Sequence, residues 1–118
     1  MPTSPLVSLT GTTPVAVAIV KPLTKARIKK VMAYNSDTSS HRVQIGSCDV
    51  KPDGTIDPAT FKQVLPDIVV LADQTIVVEP PQAEVVSTRD KLRAITAKLE
   101  ASTSSGTSVD IVVEWEEA

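Results

Sequence analysis

No apolar run in this chain extends beyond six residues: the longest, Val15–Val20, ends at Lys21 and Pro22. A membrane-spanning helix needs roughly 20 apolar residues, so the sequence predicts a soluble protein with no membrane association. The apolar residues come instead in short pieces rich in Val, Ile and Thr, punctuated by Pro, Gly, Asn and Asp. The pieces are Val15–Val20, Arg27–Tyr34, Arg42–Val50, Ile68–Leu71, Gln74–Val78, Ala83–Ser87 and Val109–Trp115. Seven such pieces at this spacing predict an all-β fold, an antiparallel β-sandwich or barrel of about 7–8 strands. The last piece is the clearest. Val109, Ile111, Val113 and Trp115 alternate with Asp110, Val112 and Glu114, the period of two expected of a strand with one wet face.

At 118 residues the chain has room for one domain. Residues 1–14 are rich in Pro, Thr and Ser and show no period, which predicts an extended N-terminal arm ahead of a sandwich domain at 15–118. Lys51-Pro52-Asp53-Gly54-Thr55 reads as a surface turn: proline pre-sets φ, aspartate bonds nearby backbone, and glycine accepts positive φ. Residues 34–40 and 102–108 read as polar loops at an end of the sandwich. Residues 90–99 can be drawn as a helix with Leu92, Ile95 and Leu99 on one face or as a strand, and propensity slightly favours the helix. Asp57–Leu65, with Pro58 at a first-turn position and Pro66 as a stop, fits one helical turn or a wrapped loop.

Phe61, Trp115 and Tyr34 are the only aromatic residues. The core must therefore come from Val, Ile, Leu and Ala, which bury less area each, and contact with neighbouring subunits would supplement it.

Catalytic equipment is sparse. His41 is the single histidine and follows a Ser/Thr loop, so it is expected as an exposed loop residue. Cys48, the single cysteine, excludes an intrachain disulfide and a thiolate-rich metal site, and is expected as a buried small hydrophobe. Four glycines, at 11, 46, 54 and 106, cannot form a dinucleotide fingerprint or a phosphate loop. Asp49, Asp53 and Asp57 lack the spacing and closing Glu of a calcium loop. No catalytic, cofactor or metal residues are expected. The opening Met-Pro-Thr-Ser-Pro carries no early positive charge, which argues against a secretory signal.

The net charge of −2 hides a division: residues 1–35 carry +5 and residues 36–118 carry −7. The basic cluster is Lys25, Arg27, Lys29 and Lys30. A nucleic-acid binder would add overall basicity and stacking aromatics, whereas this chain has pI ≈ 5.3. These four residues are expected to meet a protein partner, where complementary potentials fix orientation.

From Lys25 onward the order of features resembles the small β-sandwich virion proteins of tailed bacteriophages, of the head decoration, fibre, neck or tail-attached type. The features are the basic strand into Tyr34-Asn35 and a Ser/Thr loop, the strand Arg42–Val50, the paired pieces from Val70 to Glu79, the stretch Val85 to Ala94, and the closing Val109–Glu114. In that family the Asp-Lys-Leu-x-Ala stretch is a strand led in by a turn, commonly with Gly before the Asp; here Arg89 holds that position. The resemblance covers about three-quarters of the chain. It implies a strand at residues 90–99, a jelly-roll or Ig-like sandwich, and a non-enzymatic structural role in the virion after synthesis in the host cytoplasm. Implied partners are virion proteins such as the major capsid protein and further copies of the chain, a trimer among the arrangements allowed. The alternative is a carbohydrate-binding or adhesion module, for which Tyr34 and Trp115 are the available stacking aromatics.

Overall fold

Alternation in the last strand sets one face of the molecule: Val109, Ile111 and Val113 are fully buried, while Asp110, Val112 and Glu114 remain partly exposed. A computed structural model, which describes residues 2–80 and 83–117, contains ten strands among the described residues. They are β1 (Val7–Leu9), β2 (Val15–Ile19), β3 (Lys25–Asn35), β4 (His41–Asp49), β5 (Lys62–Gln63), β6 (Ile68–Val70), β7 (Thr75–Val78), β8 (Glu84–Val86), β9 (Arg93–Leu99) and β10 (Val109–Glu117). They form two antiparallel sheets packed together. The first runs β1-β10-β3-β7, with β8 pairing β3 further along; the second runs β2-β9-β4-β5, with β6 pairing β4. Ile28, Val31 and Ile111 of the first sheet meet Ile45, Ile95 and Leu99 of the second in one core. Among the described residues no helix is long and apolar enough to cross a membrane.

The seven expected strands all form, within a few residues of their predicted ends. Residues 93–99 are a strand rather than a helix. The leading segment departs from the expectation of a free arm. Val7–Leu9 pairs with Val109–Ile111, Ser4 N–H donates to Val113 O at 2.8 Å, and Trp115 N–H donates to Pro2 O at 3.0 Å. Leu9 is 1% exposed and belongs to the core.

Lys51–Thr55 is a tight turn, as expected: Gly54 N–H donates to Lys51 O at 2.9 Å, and Gly54 has φ 89°. Pro58–Thr60 forms one 3₁₀ turn capped by Asp57, whose carboxylate accepts from Ala59 N–H. This segment folds over the outer face of the second sheet, where Asp49 N–H donates to Thr60 Oγ1 at 2.8 Å and Lys98 Nζ lies 5.3 Å from the Phe61 ring centre. The chain then passes so close to β4 that a Cβ on Gly46 would sit 2.2 Å from Lys62 O. Only glycine leaves room there.

Candidate interaction face

The outward face of the first sheet is built from alternate residues of four strands. Tyr34, Met32 and Lys30 of β3 stand opposite Asp110, Val112 and Glu114 of β10. On the other side of β3, Met32 pairs with Val77 and Tyr34 with Thr75. Leu6, just before β1, lines the same shallow depression as Val112 and Met32. The result is a transverse row, Leu6–Val112–Met32–Val77, four side chains wide on the solvent side of the sheet. Leu6 is 66%, Val77 57% and Met32 39% exposed.

Polar rows flank it. On one side Tyr34 donates its hydroxyl to Asp73 Oδ1 at 2.9 Å, and Asp110 accepts from Ser8 and Ser108 at 2.7 Å. The hydrogen bond to Asp73, together with that carboxylate's charge, raises the Tyr34 pKa. Asp73 reaches Tyr34 from a tight turn in which its own φ is 52°.

On the other side lie the basic residues. The register slips between Glu114 and Trp115, leaving Lys29 without a residue opposite, a β-bulge that re-aims its side chain. Lys29 Nζ reaches Glu116 Oε2 at 3.1 Å, and Arg27 reaches Glu84 at 3.6 Å. The charge division of the sequence thus becomes two neighbouring strands of opposite sign: acidic β10 beside basic β3. Two of the four basic residues are held by acids of the same chain. Lys25 and Lys30 have no ion-pair partner among the described residues, and neither do Glu114 and Asp110.

A second polar cluster closes one end of the molecule. His41 is 4% exposed, so the expectation of an exposed loop histidine is corrected. Its Nε2 lies 2.7 Å from Asp37 Oδ2, and its Nδ1 is 3.7 Å from Glu100 Oε1. Asp37 also accepts from Ser104 Oγ at 2.8 Å and from Thr38 N–H at 2.7 Å. The His41 contact, then the Ser104 hydroxyl, hold its carboxyl far below the usual carboxylate range. Aspartate stands between serine and histidine, so the imidazole is not placed to take the serine proton. The arrangement ties the loop after β3 to the loop before β10. The signal sequence reasoning passed over is an aspartate four residues before a histidine inside a Ser/Thr loop.

Cys48 is buried as expected, and burial pushes its thiol pKa up. Trp115 packs against the core rather than standing free. Among the described residues no group of three or more His, Cys, Asp or Glu side chains could hold a metal ion. No family model, curated protein or solved structure matches the chain.

Proposed function

We propose that the chain is a non-enzymatic structural subunit of a tailed-phage-type virus particle, a capsid decoration or cement protein or another head-, neck- or tail-attached component. On this reading it is made in the host cytoplasm, needs no cofactor and binds virion proteins such as the major capsid protein. The observation that carries the proposal is the strand order. Taking β5 with β6, and β7 with β8, as single interrupted strands leaves eight, ordered 1-8-3-6 in one sheet and 2-7-4-5 in the other. We read that order as the wrapping of a jelly roll, an architecture shared by viral capsid domains and lectins. The apolar row on an otherwise polar sheet face adds support, because contiguous exposed apolar surface marks interaction sites. The leading segment, paired along the sheet edge, contributes exposed Leu6 to that row.

The test is co-sedimentation of the purified chain with tailed-phage shells stripped of accessory proteins. Saturable binding that survives extensive washing is expected; no binding to any shell while the chain remains folded rejects the reading.

A carbohydrate-binding module is favoured by one observation: Tyr34 lines the same depression as Met32 and Val112 while its hydroxyl donates to Asp73, an aromatic ring beside a hydrogen-bonding carboxylate. A glycan array distinguishes it, with Tyr34→Ala abolishing any signal.

A further inference from the structure

The outward face of the first sheet has an unusual symmetry. β10 and β3 lie side by side near its middle, the first presenting Asp110, Glu114 and Glu116 and the second Lys30, Lys29, Arg27 and Lys25. Rotating such a face by 180° about an axis parallel to the strands and midway between these two exchanges their positions. The acidic strand of one copy then lies over the basic strand of the other. The apolar row maps onto itself, Val112 over Met32 and Leu6 over Val77. We propose that this face is a two-fold docking surface for a second copy of the chain, in which Glu114 of each copy meets Lys30 of the other.

The proposal rests on the assembly reading and names its first partner. Three features favour a copy of the chain over an unrelated protein. A closed two-fold contact requires a patch complementary to itself, and this polarised strand pair meets that requirement. Lys30 and Glu114 stand opposite each other in register yet form no ion pair within the subunit among the described residues, so both remain free for a partner. The exposed row between the charged and polar borders supplies an apolar centre with a polar rim, the usual anatomy of a protein interface. Charge pairs of this kind set orientation and encounter rate, while the apolar centre supplies affinity.

The test is sedimentation equilibrium of wild type, Lys30→Glu, Glu114→Lys and an equimolar mixture of the two variants, with thermal melting as the folding control. Wild type should dimerise. Each variant alone places like charges across both symmetric contacts and should bind itself at least about tenfold more weakly. The mixture should recover a dimer near wild-type affinity. In the mixed dimer the glutamate introduced at position 30 of one chain faces the lysine introduced at position 114 of the other, and the two unaltered side chains meet at the second contact. A change confined to one subunit's own stability would not restore association on mixing. Val77→Asp, remote from the charge pair on β7, should also weaken the dimer. The proposal is overturned by a monomeric wild type, or by variants that self-associate as tightly as wild type. A monomer that still binds stripped shells would remove this pairing and leave the virion reading intact; a charge-dependent dimer that binds no shell would do the reverse.

Discussion

Four donors or ring contacts converge on Asp37: His41 Nε2, the Ser104 hydroxyl, Ser104 N–H and Thr38 N–H. Because the folded state lowers this carboxyl's pKa, its contribution is complete above the unfolded value of about 3.9 and is lost as pH falls from there toward the depressed value. Asp37→Asn should therefore melt several degrees below wild type at neutral pH, and the gap should narrow as the pH drops below about 4. Melting curves across that range check it; a gap of constant size would show that the charge contributes nothing. The identity of this cluster was only partly legible. A polar loop was evident from residues 34–40, but its burial depends on Ser104 and Glu100 arriving from about 60 residues away, and local sequence carries no trace of that.

At the level of elements, strands with one wet face were readable because alternation survives in them, as β10 shows. Two elements lost that signal for different physical reasons. In β9 Ala94, Ile95, Thr96 and Ala97 are all buried: the core covers one side, and the other lies beneath the segment carrying the 3₁₀ turn. Period two disappears when both faces are covered. β1 is three residues long and follows Pro2 and Pro5, too short for a period to show. Its place in the core makes a sharp prediction. Leu9→Ala should cost about 2–5 kcal/mol, as for a fully buried leucine, measured by urea unfolding, and removal of residues 1–14 should lower the melting temperature rather than leave it unchanged. An unaffected midpoint in both would return the segment to the role of a detachable arm. The apolar row was invisible for a third reason: its four members come from positions 6, 32, 77 and 112, and only the strand order makes them neighbours.

In the whole molecule, nearly every strand neighbour is distant in sequence: β1 pairs β10, β2 pairs β9 and β3 pairs β10. Loop-closure entropy must be overcome before such contacts stabilise anything, so refolding should take milliseconds to seconds rather than microseconds. Stopped-flow Trp115 fluorescence can follow it, and a microsecond phase carrying the full amplitude would contradict the topology. The pairing of the first strand with the last has a mechanical consequence as well. Because the two run antiparallel, Thr3 lies across from Glu114 and Leu9 across from Val109, so the first strand is entered and the last strand is left at the same end of the ladder. Tension applied through the two ends pulls across the backbone hydrogen bonds, which open one at a time like a zip. Load delivered through the broad sheet face is shared by every strand at once. A molecule of this shape is therefore soft when tugged by its tails and stiff when clamped through its flat side.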